Sequence, residues 1–239
     1  MSAVRPRHAA IDQHVAGFEQ RNELVDEIVD RLARLERRQR AVLVEAPHLD
    51  GPFHRLAFAG DRIIAVGATG ELLAAHADAT VVDVSGCMLM QGLIDNHTHL
   101  SMPFMGMMSS DDYDTGTRAA AAGGVTCLVD FSIQREPDNL RSALAEWQGR
   151  ADGAAHVDYG FHMAITNASE SALDEMELMT EEGVCTFKLF MAYKGELMVR
   201  DDELAAAMER ARDLGGLVMV HAENGDVVDL LVKRALARG

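Results

Sequence analysis

No apolar run in the 239-residue sequence approaches the ~18 residues that a membrane-spanning helix needs. The opening MSAVRPRHAA also holds no apolar stretch of the kind that leads a secretory signal. Membrane and export readings therefore drop out, and the cytoplasm is the expected compartment. Basic residues are scarce beside acidic ones, 22 against 38, for a formal charge of -16. The phosphate backbone of a nucleic acid would be repelled, so nucleic acid is not an expected partner. Cysteines are few as well. Cys87, Cys127 and Cys185 are odd in number, far apart and set among apolar neighbours, which fits reduced core thiols rather than a disulfide framework or a zinc knuckle.

What is present suffices for a core: 48% of residues are apolar and 25% charged, the balance of a globular chain. Residues 1–40 stand apart as a helical extension. Leu24, Ile28, Leu32 and Leu35 recur at helical spacing among charged residues, an amphipathic stripe that would pack on its own chain or on a neighbouring subunit. Residues 41–91 change character. The run RLAFAGDRIIAVG gives two short strands around Gly60-Asp61, and VVDVSG gives a third, so this stretch reads as a small, partial β-sandwich.

From residue 92 to 239 the pattern is regular. Apolar runs LIDNHTHL, VTCLVDFS, DYGFHMAIT, CTFKLFMAY and LVMVHAE alternate with segments of helical periodicity. Short β-rich runs buried on both sides, each followed by a helix, describe an α/β unit with a parallel sheet. Periodicity alone is equally satisfied by a doubly wound sheet and by a (β/α)8 barrel.

The chemistry-bearing residues lie at the ends of these runs. His97 and His99 are two apart on the first strand, so both imidazoles fall on one face about 6–7 Å apart, beside Asp95. A same-face pair at a strand end suits a shared metal better than the satisfied core role of a lone histidine. His162, alone on its strand, reads as structural. Lys188 sits in the apolar run Thr-Phe-Lys-Leu-Phe-Met. Burial there would favour the neutral amine, which reacts with carbon dioxide to give a carbamate able to bridge two metal ions. The alternative is a lysine snorkelling out at the strand end. His221 closes the fifth run, so three strands place possible ligands at the sheet edge where barrel enzymes build their sites.

The runs GLIDNHTHL, SSDDYDTGTRAAAAGGVTCLVDF, GVCTFKLFMAYKGE and VMVHAENGDVVD occur here in that order. Together they resemble the dihydropyrimidinase and D-hydantoinase family of cyclic amidohydrolases over about residues 56–239. The resemblance implies a (β/α)8 barrel with a flanking β-sandwich, here a partial barrel of about five βα units. It implies two zinc ions, with His97 and His99 as ligands of the first, carboxylated Lys188 bridging both, and His221 on the second. Tyr193 would be the substrate-facing hydroxyl, Phe190 would line the pocket, and Met102 and Phe104 would form walls on the loop after His99. The implied activity is hydrolysis of a dihydropyrimidine or hydantoin ring, with a small cyclic amide as substrate and a homo-oligomer as the complete form. Allantoinase-like or dihydroorotase-like hydrolysis, or a non-catalytic scaffold, are the alternatives. Gln91, Leu93 and Asn96 depart from the family's usual Pro, Gly and Pro. The family also continues through three further βα units that would bring another His ligand and an Asp, so a truncated and incomplete site is the expectation for residues 1–239.

Overall fold

The structure is a computed structural model that describes residues 42–45, 55–60, 62–84, 90–104, 106–135 and 139–239. The stripe at Leu24, Ile28, Leu32 and Leu35 lies outside the described residues, as do Cys87 and Asp61. The chain divides into two compact units between Gln91 and Gly92.

The first unit contains strands β1 (Val42–Glu45), β2 (Arg55–Ala59), β3 (Arg62–Gly67) and β4 (Thr80–Asp83), with helix α1 (Thr69–Ala75) before β4. They form one sheet in the order β3-β2-β1-β4. The β2–β3 hairpin turns at Gly60, whose φ of 58° is open to glycine without strain. Leu43, Ala57 and Leu72 form its small core.

The second unit opens with β5 (Leu93–Thr98), followed by a short hairpin of β6 (Pro103–Phe104) and β7 (Met107–Met108). Then come α2 (Tyr113–Ala122), β8 (Val125–Ile133), α3 (Leu140–Ala151), β9 (Asp158–Ala164), α4 (Glu170–Glu181), β10 (Thr186–Phe190), α5 (Asp201–Asp213), β11 (Leu217–His221) and α6 (Gly225–Leu236). The major sheet has the order β11-β10-β9-β8-β5, and every pairing in it is parallel. Five consecutive βα units in sequential parallel order are a partial (β/α)8 barrel.

Four of the helices begin where short polar side chains satisfy their first free N–H groups. Asp112, Asn139, Ser169 and Asn224 accept from the backbone N–H of Thr115, Ser142, Ala172 and Val227 respectively. Each such cap stabilises by about 1 kcal/mol. The core lies between these helices and the sheet. Trp147, Met176 and Ala207 from the helices pack in one cluster with Leu128, Met163, Phe187 and Leu189 from the strands. On β10 the alternation sets Phe187 and Leu189 in this core, while Thr186, Lys188 and Phe190 share the other, half-buried face.

Two expectations change. The strands are not all buried on both sides: Leu93, Ile94 and Leu217 on the outer strands β5 and β11 are 49%, 68% and 62% exposed, because each outer strand has a sheet neighbour on one side only. Cys127 and Cys185 are free thiols, but Cys185 is exposed rather than in the core. It precedes β10 at the sheet's N-terminal edge, where its carbonyl accepts from Leu217 N–H at 2.9 Å.

Candidate active site

At the C-terminal end of β5 the period of two brings the rings of His97 and His99 together, with centroids 5.2 Å apart and planes nearly perpendicular at 88°. The His97 backbone N–H donates to Asp95 Oδ1 at 3.1 Å. Both rings lie against Phe131 of β8, at 4.7 and 5.0 Å. Phe131 is 2% exposed and forms the floor of the site.

The chain after His99 is held residue by residue. Leu100 N–H donates to Asp130 Oδ2 at 3.0 Å, Arg150 Nη1 donates to Ser101 O at 2.7 Å, Met102 N–H donates to Ser109 Oγ at 2.8 Å, and Arg135 Nη2 donates to Pro103 O at 2.7 Å. Met102 and Phe104 therefore stand as fixed walls. The Asp130 anchor is buried and also accepts from the Tyr113 hydroxyl and the Phe131 N–H, each at 2.7 Å. Burial pushes its carboxyl above the usual range against the pull of those hydrogen bonds. Burial, then the neighbouring Asp130, pushes the Tyr113 phenol upward in turn.

Lys188 reaches the same space from β10, its Nζ 5.5 Å from the Phe190 ring centroid. Burial lowers its pKa, favouring the neutral amine. His99 is lowered too, by burial first and then by His97 and Lys188. His221, opposite Phe190 in the β10–β11 register, stacks 6.1 Å from that ring and holds Nε2 at 2.6 Å from Glu223 Oε2.

Tyr193 follows β10 on a turn with φ of 62°, a left-handed conformation that a bulky residue adopts only when its surroundings enforce it. Here they do. Its carbonyl accepts from the N–H groups of Glu196 and Leu197, Met191 N–H donates to His221 O at 3.0 Å, and Gly225 N–H donates to Met191 O at 2.9 Å. A Cβ on Gly225 would stand 2.6 Å from Met191 O, so only glycine lets the start of α6 approach this turn. The Tyr193 ring ends 5.1 Å from His221 and 5.6 Å from Phe104.

His97, His99, Met102, Phe104, Lys188, Phe190, Tyr193 and His221 all line one cavity of about 320 Å³. Phe131, Ile133, Ala164 and Leu197 complete its wall. A larger cleft of about 1070 Å³, which adds Gln134, Arg135 and Thr166, shares Phe104, Ile133 and Leu197 with it. Among the described residues, no three His, Cys, Asp or Glu side chains stand close enough to hold a metal ion by themselves. The two imidazoles at the end of β5 thus need a donor of another kind, and Lys188 shares their cavity along with His221. An ammonium has no lone pair to offer, whereas a carbamate offers two oxygens, so the set fits a metal once Lys188 is carboxylated.

Residues 88–235, from just before β5 to the last turn of α6, match the amidohydrolase family. The chain belongs to that family. It is 48% identical over 179 residues to a D-hydantoinase of Streptomyces coelicolor, covering 74% of this chain and 38% of that protein. It is 46% identical over 160 residues to a dihydropyrimidinase of Dictyostelium discoideum, covering 66% of this chain and 32% of that protein. The crystal structure of dihydropyrimidinase from Brevibacillus agri superposes with a TM-score of 0.75 at 42% identity, over 84% of this chain and 43% of that one. The chain thus spans well under half the length of these relatives. Hydantoinases of the amidohydrolase family are generally metal-dependent.

Sequence reasoning passed over Phe131, Ile133, Ala164 and Leu197. Phe131 and Ile133 sit two apart on β8, and alternation alone would have placed them on one face. Nothing in their chemistry marked that face as the cavity's. No helix among the described residues is long and apolar enough to cross a membrane.

Proposed function

We propose that residues 92–239 carry a metal-dependent site for opening cyclic amide rings of the dihydropyrimidine or hydantoin type. The observation that carries this reading is the convergence of His97, His99, Lys188, His221 and Tyr193, from three strand ends and one strained turn, on a single cavity. In it, His97, His99 and His221 would hold zinc through their imidazole nitrogens, and Lys188, as a carbamate, would add two oxygen donors. The neutral Nζ attacks carbon dioxide, forming the N–C bond and releasing one proton. When bound, the metal would polarise the ring carbonyl and lower the pKa of water. Tyr193 donates its phenolic hydrogen to the carbonyl oxygen as negative charge develops there. Met102, Phe104 and Phe190 enclose the ring and exclude bulk water, which strengthens that hydrogen bond.

Protein supplied with zinc and bicarbonate is offered hydantoin, dihydrouracil, allantoin and dihydroorotate. Any ring opening is expected to favour the first two, at a rate far below that of a full-length relative, with loss in H97A and in K188A. Preferential turnover of either of the last two would overturn the substrate class. Failure to retain zinc, with no difference between the wild type and H97A, would overturn the site.

A further inference from the structure

His162 lies on β9 two residues before Ala164, which lines the cavity, so its ring falls on the same strand face one step deeper. It is 7% exposed, and both ring nitrogens are engaged by different strands. Nε2 stands 3.0 Å from the carbonyl oxygen of Asn96 on β5, the residue before His97. Nδ1 meets the hydroxyl of Thr186 on β10, two residues before Lys188. A carbonyl can only accept, so Nε2 carries a hydrogen, and in the neutral ring Nδ1 accepts from Thr186. In the sheet β9 is adjacent to β10 but separated from β5 by β8. Backbone ladders fix neighbouring strands only, so the bond from His162 to Asn96 is a chord across β8. Under that chord sits Phe131, register partner of His162 and 4.8 Å from its ring, the residue on which His97 and His99 also rest.

We infer that His162 is a positioning residue that sets the distance between the strand carrying His97 and His99 and the strand carrying Lys188. The inference rests on the reading of those three as metal ligands. Ligands of one site must be held to within about 0.5 Å, and adjacent-strand pairing leaves the curvature across three strands to side chains.

The test uses the full chain with bicarbonate and cobalt(II), reading affinity by titration and ligand geometry by the visible absorption of the bound ion. Circular dichroism of each metal-free variant checks folding. H162F keeps the ring shape and removes both ties. It is expected to weaken cobalt binding about 10- to 100-fold, the range for outer partners of metal ligands, and to shift the visible band. H162Q, whose amide can donate to Asn96 O and accept from Thr186, should recover most of the loss, which a purely packing role would not allow. Wild-type affinity and spectrum in H162F would overturn the inference, as would an H162Q no better than H162F. Should H162F fail to fold, T186V removes one tie alone: weaker binding is expected, and unchanged affinity overturns the positioning role. H97A separates the two layers. Loss of cobalt in H97A with none in H162F sinks the positioning role only, whereas wild-type binding by H97A sinks the ligand assignment beneath it.

Discussion

Replacing Phe131 by alanine should be among the most damaging single changes in the second unit. Phe131 is 2% exposed and touches three imidazoles, those of His97, His99 and His162, at centroid distances of 4.7, 5.0 and 4.8 Å. Truncation to Ala removes the buried ring and leaves a cavity under all three, which costs about 3–5 kcal/mol. Leucine keeps much of the volume but none of the ring contacts, so F131L should cost only about 1–2 kcal/mol. Equilibrium urea unfolding followed by circular dichroism reads both. With a denaturant slope of about 2 kcal/mol/M, F131A should move the midpoint down by about 2 M and F131L by less than half of that. A loss under about 1 kcal/mol for F131A, or an F131L as damaging as F131A, would show that this ring is not the packed floor of the site.

Three further outcomes are expected. Burial raises the folded-state pKa of Asp130 above the ordinary value of 3.8, so the folded state binds that proton more tightly than the unfolded one. Its contribution to stability is therefore full below about pH 3.8 and is lost as pH rises through the folded value; the stability difference between wild type and D130N, by urea unfolding at several pH values, should shrink across that window. G225A should destabilise by about 1–3 kcal/mol, because the new Cβ has to displace Met191 O or Met198 Sδ, at 2.6 and 2.7 Å. A thermal melt unchanged or raised would mean that the Tyr193 turn yields freely. N139A should cost about 1 kcal/mol by removing the cap of α3, where Asn139 Oδ1 accepts from Ser142 N–H at 2.8 Å, and equal urea midpoints would contradict it.

The five parallel strands were readable because each combines an apolar run with a following helical segment, and the ends of three of them carry ligand-type side chains. The same alternation that put His97 and His99 on one face is what the structure shows at the end of β5. Other features depend on partners far away in the chain. Leu100 is anchored by a carboxylate 30 residues on, and His162 reaches 66 residues back to Asn96; no local pattern encodes such pairings. Resemblance alone points to Tyr193, whereas its left-handed turn arises from the packing of Gly225 and β11 around it. Exposure of Leu93, Ile94 and Leu217 follows from position in the sheet order, which composition does not carry.

The central claim is that Lys188 joins His97 and His99 as a metal ligand in carboxylated form. Carbon-13 NMR of the chain loaded with zinc and ¹³C-bicarbonate tests it most directly. A carbamate resonance is expected in the wild type and in K194A, whose lysine is exposed and paired with Asp226, and it should be absent from K188A. Zinc bound with no carbamate signal, or a signal that survives in K188A, would contradict the account.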